Sequence, residues 1–285
     1  MEYKNINIIK ETKDLSIFIA EDNGNKFFYK KPRTKDGEIK NTREFNNQKF
    51  LLKITHEKNV GFEFLEPKFE DKTLIYPDIN QFGVFLAKSE APADNHTQFS
   101  TYSEEMIKFI KFCLQIPYSG IPEAIKIDSQ TRKNNILNKF NTDGELLAST
   151  GLISKKEINN IENIIGNGLR KMAFQHHDLV PWHMARKTED QKLILIDSGW
   201  SGWSLKYYDV AYYVLQMTGY ARKKDDAFAL LEKVKNEFRD DAELHSSLAA
   251  SFGYRGIRLA AELERIGKIE EAKDVIIVLL SQINE

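Results

Sequence analysis

The change from strand-like to helix-like sequence along the chain is the feature that most restricts the fold. Up to about Ile79, short β-branched and aromatic runs alternate with polar turns, and one of these turns is Asp22-Asn23-Gly24-Asn25. A turn of this composition between two such runs is typical of an antiparallel hairpin. The pattern predicts five strands, with the sequences NINIIK, SIFIAE, KFFYKK, FEFLEPKF and KTLIYPDI.

Helical patterns interrupt these strands once and then dominate after Glu104. The segment NTREFNNQKFLLKI predicts a helix capped by Thr42, and Ser154 and Glu157 have the spacing of a capping box. At least three more amphipathic helices are predicted between about residues 225 and 284. We therefore expect an α+β fold in which residues 1–79 form a small antiparallel β-rich lobe and residues 80–285 form a larger, mostly helical lobe.

The composition argues against several classes of protein. The formal net charge of −1 gives the whole chain no attraction to nucleic acid or to an acidic membrane, so neither is expected as a partner. Cys113 is the only cysteine, which excludes an internal disulfide framework and is typical of a reducing compartment. No apolar stretch is long enough for a signal peptide or a membrane span. We expect a cytoplasmic protein, and the sequence does not specify its oligomeric state.

The segment QHHDLVPWHM, residues 175–184, carries the densest group of chemically active side chains. Its pattern His176-x-Asp178-Leu179-x-x-x-His183 matches the kinase catalytic loop H-x-D-L-x-x-x-N at every fixed position except the last. A compact apolar strand then ends at Asp197. Phosphoryl transfer uses two carboxylates in this way, because one accepts the proton of the attacking hydroxyl and the other holds Mg²⁺.

A pairing of two strands is predicted from the same region. The segments KMAFQHHDL and QKLILIDSG both have strand character, and Thr-Glu-Asp between them is a good turn. Direct pairing of these two strands would place Asp178 and Asp197 at neighbouring edges of one small sheet.

Together, HHDLVPWHMA, LILIDSGWSG and YYDVAYY resemble the motif of the aminoglycoside phosphotransferase and choline kinase-like superfamily, over about 40 residues. The resemblance implies a two-lobed, protein-kinase-like fold and transfer of the γ-phosphoryl group of ATP, with Mg²⁺, to a hydroxyl of a small molecule. It further implies that Asp178 is the catalytic base, that Asp197 is a metal ligand, and that Asp209 is a buried aspartate that braces the catalytic loop. His176 is expected to support the same loop.

A lysine and a glutamate in the predicted β-rich lobe fit the nucleotide-binding pair of kinases. Lys30 lies near the end of the third strand and Glu44 lies in the helix that follows. Alternation along the strand places Lys30 on the nucleotide side and turns Lys31 away. A solvated lysine pair and a surface glutamate are the alternative interpretation. The segment between the first two strands has no glycine, so the G-x-G-x-x-G loop is absent, and the hinge beside ATP is expected at residues 76–80.

His183 departs from the family pattern, which has asparagine as a second metal ligand at this position. Mg²⁺ prefers oxygen donors, whereas imidazole suits Mn²⁺ and other transition metals. Three interpretations stay open. His183 replaces the ligand and shifts the preference towards Mn²⁺, it hydrogen-bonds a phosphate or Asp178, or it marks a catalytically degraded pseudokinase.

Two functions of other classes also stay open. A metal-dependent phosphohydrolase would use His177, Asp178 and Asp197 as ligands, although such His-Asp pairs usually lie on a helix and the flanks here predict strands. A nucleotide-binding scaffold would need only the fold. A protein kinase is not expected, because about ten residues separate Asp197 from the helix near Tyr208 and no Ala-Pro-Glu motif occurs.

Overall fold

A computed structural model describes residues 4–58, 60–85, 103–180, 183–220 and 224–284. The chain divides into two compact units. The first contains Met1–Ser89 and Val180–Ser201, and the second contains Glu90–Leu179 and Gly202–Glu285. The lobe boundary placed at residue 79 from the sequence stays a prediction.

The main sheet of the first unit has five antiparallel strands in the order β1-β2-β3-β6-β5. Asn23 and Gly24 have φ values of 51° and 80°, so the turn between the second and third strands needs residues that tolerate the left-handed region. The strands are β1 Lys4–Glu11, β2 Leu15–Asp22, β3 Asn25–Pro32, β5 Lys68–Glu70 and β6 Thr73–Pro77.

The helix of the first unit, α1, spans Lys35–Lys58 and begins seven residues before the predicted cap. Thr34 caps it, because its Oγ1 accepts a hydrogen bond from the Gly37 amide at 3.2 Å. Thr42 lies inside the helix, where its hydroxyl donates to the Glu38 carbonyl at 2.8 Å, so its predicted capping role is wrong.

A second sheet in this unit has the order β4-β10-β9-β7 and explains why Val180–Ser201 belongs here. Strand β10 pairs in parallel with β4 and antiparallel with β9. The predicted single strand FEFLEPKF is in fact two strands in two sheets, separated at Pro67, which has no N–H to donate. The strands of this sheet are β4 Phe62–Phe64, β7 Gly83–Phe85, β9 Met184–Lys187 and β10 Leu193–Leu195.

Among the residues that the structure describes, the second unit contains seven α-helices and one two-stranded sheet. The capping box at Ser154 and Glu157 is present, as predicted. Helix α7 packs against α3, α4, α5 and α8 and forms the centre of the core. The elements are α2 Ser103–Leu114, α3 Glu123–Ser149, α4 Lys155–Gly168, β8 Met172–Gln175, β11 Gly202–Leu205, α5 Tyr208–Gly219, α6 Lys224–Glu237, α7 Leu244–Arg265 and α8 Ile269–Ile283.

The predicted pairing of the strands before Asp178 and Asp197 is wrong. Strand β8 pairs with β11, whereas β10 pairs with β9 across the Thr188-Glu189-Asp190 turn. The predicted turn is present, but it connects β9 to β10 rather than β8 to β10. In the part of the chain that is described, no helix has the length and apolar character to cross a membrane.

Candidate active site

A buried lysine lies between two carboxylates in the first unit. Lys30, on β3, donates hydrogen bonds to both carboxylate oxygens of Glu44, on α1, at 2.8 Å. Its Nζ also lies 3.4 Å from Oδ1 of Asp197, which follows β10. Lys30 is only 8% exposed, whereas the neighbouring Lys31 is exposed. The strand alternation thus directs Lys30, and not Lys31, towards the helix.

The electrostatics of this group keep the lysine charged. Burial alone would lower the pKa of Lys30, but the carboxylates of Asp197 and Glu44 outweigh burial and raise it. Burial raises the pKa of the Glu44 carboxyl, and the Lys30 ammonium opposes that shift. At neutral pH Lys30 therefore presents a fixed positive charge.

Two more polar residues complete the group, and one of them, Tyr76, belongs to the segment that the sequence predicts as the hinge. The Tyr76 hydroxyl, from β6, donates to Oε1 of Glu44 at 2.9 Å. Asn41, one turn before Glu44 on α1, donates from Nδ2 to the carbonyls of Lys30 at 2.6 Å and Lys72 at 2.8 Å. The only signal for Asn41 in the sequence is its helical spacing of three residues from Glu44.

Asp197 and His183 are the metal-ligand candidates within the first unit. The backbone brings them together, because the Ile196 amide donates to the His183 carbonyl at 3.0 Å. The Nε2 atom of His183 lies 3.6 Å from Oδ2 of Asp197, and the Asp197 side chain is 32% exposed. One accessible carboxylate suits Mg²⁺ when phosphate and water oxygens fill the other positions, and the imidazole adds a donor that suits Mn²⁺ better. The donor set therefore fits a divalent cation.

In the second unit, Asp209 organises the backbone of the predicted catalytic loop. It is fully buried at the start of α5, and its carboxylate accepts hydrogen bonds from the amides of His176 at 2.6 Å and His177 at 2.7 Å. Burial raises its pKa to about 7, although these two hydrogen bonds oppose the shift. Its own amide donates to the Gln175 side chain at 3.0 Å.

His177 occupies a backbone position that favours glycine. Its φ of 71° lies in the left-handed region, which side chains other than asparagine, aspartate and histidine adopt less readily. The ring stacks obliquely on Tyr208, with 4.5 Å between centroids, and burial lowers the pKa of its imidazole well below the ordinary value. His177 and Asp178 lie in the loop after β8 and not on a helix.

Asp178 and His176, on either side of His177, lie in different environments. Asp178 is half-buried, and its Oδ1 accepts a hydrogen bond from the Tyr212 hydroxyl of α5 at 2.8 Å. His176 is fully buried, with its ring edge against Phe109 of α2 at 5.8 Å between centroids. Tyr212 was not identified from the sequence, although it lies three residues after Asp209 and therefore on the same side of α5.

The predicted site residues thus form two groups. Lys30, Glu44, His183 and Asp197 lie together in the first unit, and His176, Asp178 and Asp209 lie together in the second. The first group combines one ammonium, two carboxylates and an imidazole. The second group holds one partly accessible carboxylate on a backbone that a buried aspartate fixes.

Comparisons with known proteins find similarity of structure and none of sequence family. Neither a protein-family model nor a curated protein sequence matches this chain. A gentamicin complex of the aminoglycoside phosphotransferase APH(2")-IIa has a TM-score of 0.58 and 13% identity, covering 98% of this chain and 91% of that chain. ADP-bound APH(2'')-Ib has a TM-score of 0.59 and 13% identity, covering 96% and 94%. The choline kinase LicA from Streptococcus pneumoniae has a TM-score of 0.56 and 11% identity, covering 99% and 95%. These similarities confirm the predicted α+β, two-lobed, kinase-like fold.

Proposed function

We propose that this chain is an ATP-dependent phosphotransferase that moves the γ-phosphoryl group to a hydroxyl of a small molecule. The observation that carries the proposal is the buried ammonium of Lys30 between the carboxylates of Glu44 and Asp197. A protein rarely holds a buried ammonium and a buried carboxylate in contact with a third, partly exposed charge unless these charges serve a ligand or a network. The fold supports the same conclusion, since structures that share it include an ADP-bound aminoglycoside phosphotransferase and a choline kinase.

In this proposal the first unit binds the nucleotide. Lys30 contacts the α- and β-phosphates, and Glu44 fixes the direction of its side chain. The group of one cation and two carboxylates has a net charge of −1, which favours a divalent cation beside the phosphates. Asp197, with His183 beside it, would hold Mg²⁺ or Mn²⁺. When bound, the metal ion neutralises charge on the β- and γ-phosphate oxygens.

The second unit supplies the base in the same proposal. The acceptor hydroxyl oxygen attacks the γ-phosphorus, the bond from that phosphorus to the β–γ bridging oxygen breaks, and the hydroxyl proton passes to Asp178. ADP leaves with the electron pair of the broken bond. Tyr212 donates to Oδ1 of Asp178 and so fixes the direction of the carboxylate that would accept the proton. Asp209 and His176 keep the loop backbone in place.

The acceptor is proposed to be small. The ten residues between Asp197 and α5 include β11 and are too few for a segment that docks a peptide. A neighbouring structure contains gentamicin, and another neighbour is named a choline kinase, so hydroxylated small molecules are the class to screen.

A non-catalytic nucleotide-binding protein is the second candidate, and one observation favours it. His183 lies 3.6 Å from Asp197, where the family motif would have asparagine. An imidazole there is a poor ligand for Mg²⁺, so the metal site that phosphoryl transfer needs would be weakened. Such a protein would keep nucleotide binding through Lys30 and lose phosphoryl transfer.

Calorimetric titration with ATP, in Mg²⁺ and in EDTA, tests the nucleotide site. We expect the wild type to bind ATP more tightly with Mg²⁺, and Asp197→Asn to lose most of that difference because it weakens the field at the cation. Asp178→Asn should bind like the wild type, since it alters only the proton acceptor. Affinities that do not respond to metal in any of these proteins would overturn the proposed metal and nucleotide roles.

A further inference from the structure

The backbone that follows Asp197 is fastened to helix α1 by one buried side chain. Nδ2 of Asn47 donates to the carbonyl of Ser198 at 2.9 Å and to that of Ser201 at 3.0 Å. The Gly199 carbonyl lies 3.4 Å from the same nitrogen. Asn47 is 1% exposed and Ser198 and Ser201 are fully buried, so these hydrogen bonds form out of reach of solvent.

A second side chain of α1 holds the same segment from the next position. The Ser198 hydroxyl donates to Oε1 of Gln48 at 2.6 Å, and Nε2 of Gln48 donates to the Leu65 carbonyl at 3.0 Å. Gln48 and Ser198 are both fully buried. The amide of Gln48 thus links the segment after β4 to the segment after β10, and both of its polar atoms are used.

The conformation of Asp197 explains why its neighbours need to be held. Asp197 has φ 59° and ψ 49°, in the left-handed region, which aspartate tolerates better than most side chains but which still costs free energy relative to ordinary backbone. Such conformations persist only where the surroundings determine them. If the backbone relaxed to an ordinary conformation, the carboxylate would leave its position 3.4 Å from Lys30.

We propose that Asn47 and Gln48 are positioning residues that hold Asp197 beside Lys30 before the nucleotide and metal ion bind. Glu44, which fixes Lys30, lies one turn earlier on the same helix. Helix α1 therefore orients the lysine through Glu44 and the aspartate through Asn47 and Gln48. The metal-binding part of this inference rests on the proposed function.

Asn47→Leu and Ser198→Ala test the proposal, with Thr55→Ala as the matched control. Thr55 is also buried on α1, but within the described residues its hydroxyl bonds only to carbonyls of the helix itself, at Leu51 and Leu52. In calorimetry, the ratio of ATP affinity with Mg²⁺ to that in EDTA should fall about tenfold in Asn47→Leu and about threefold in Ser198→Ala. The affinity in EDTA should change by less than about twofold, and Thr55→Ala should match the wild type in both conditions.

Hydrogen exchange at the Ser201 amide gives a readout that needs no nucleotide. This amide donates to the Ser198 carbonyl at 2.9 Å. Its protection from exchange therefore reports whether residues 198–201 keep this hydrogen-bonded turn. It should exchange at least about threefold faster in Ser198→Ala than in the wild type or Thr55→Ala. Ser198→Ala, a small change, carries the test if Asn47→Leu does not fold.

The outcomes separate this proposal from the proposed function. Unchanged metal dependence in a folded Asn47→Leu or Ser198→Ala, beside a metal-dependent wild type, overturns the positioning role alone. Unchanged exchange at Ser201 overturns the fastening of the segment. A wild type that binds no nucleotide overturns the proposed function, and with it the role of Asn47 and Gln48 in metal binding. Faster exchange at Ser201 in the variants would still establish that these side chains hold the segment after Asp197 on α1.

Discussion

Replacing Lys30 by methionine removes the positive charge between two carboxylates and should destabilise the fold. Glu44 accepts two hydrogen bonds from Nζ at 2.8 Å and its side chain is 8% exposed, so the variant leaves a buried carboxylate without its cation. Breaking a buried ion pair from one side costs about 3–5 kcal/mol. We expect the free energy of unfolding to fall by about 3 kcal/mol, at the lower end of this range, because Glu44 can take up a proton and keeps its hydrogen bond from Tyr76.

A double-mutant cycle shows whether the ion pair is the cause. The variant Lys30→Met/Glu44→Gln has no carboxylate at position 44. Its loss of free energy of unfolding should therefore be about 2 kcal/mol smaller than the sum of the losses in the two single variants. Lys31→Met is the matched control: it changes the exposed neighbour on β3, and should alter the free energy of unfolding by less than about 0.5 kcal/mol. Urea unfolding at pH 7 measures these differences. Additive losses, or equal stability of Lys30→Met and Lys31→Met, would refute the reasoning.

Asp209 and His183 give two further predictions. Because burial raises the pKa of Asp209 from 3.8 to about 7, the folded protein holds a proton that the unfolded chain has lost between these pH values. The free energy of unfolding should therefore fall by up to about 4 kcal/mol as pH rises from about 4 to about 7. Urea unfolding of Asp209→Asn at a series of pH values should show a dependence on pH that lacks this fall. If His183 is a metal ligand, phosphoryl transfer by the wild type should be faster with Mn²⁺ than with Mg²⁺, and His183→Asn should shift the preference to Mg²⁺. An identical ratio of the two rates in both proteins would remove His183 from the metal site.

The sequence predicted the N-terminal strands and most helices because their signals are local. Turn residues at Asn23 and Gly24 and the capping box at Ser154 act within a few residues, and the structure contains both. The pairing of β10 was predicted wrongly because it depends on distant partners. Three-residue strands such as β4 carry too little pattern to reveal a parallel partner about 130 residues away.

Helix α1 shows why part of the candidate site could not be predicted. Its buried residues include four polar side chains beside Phe50 and Leu51, and hydrophobic periodicity gives no sign that these four face inwards: Asn41, Glu44, Asn47 and Gln48. Glu44 was identified only through the kinase pattern. No such pattern marks Asn41 or Asn47. Their side-chain amides donate to the carbonyls of Lys30 and Ser198, which only the tertiary fold brings near them.

Phosphoryl transfer from ATP labelled at the γ-phosphate tests the central claim most directly. The wild type and Asp178→Asn would be incubated with Mg²⁺ or Mn²⁺ and a panel of aminoglycosides, choline analogues, sugars and nucleosides, after calorimetry has established that both bind ATP. The account predicts a labelled acceptor with the wild type and none with Asp178→Asn, because only the carboxylate accepts the hydroxyl proton. A wild type that binds ATP but labels no acceptor in the panel, or an Asp178→Asn variant that transfers at the wild-type rate, would contradict it.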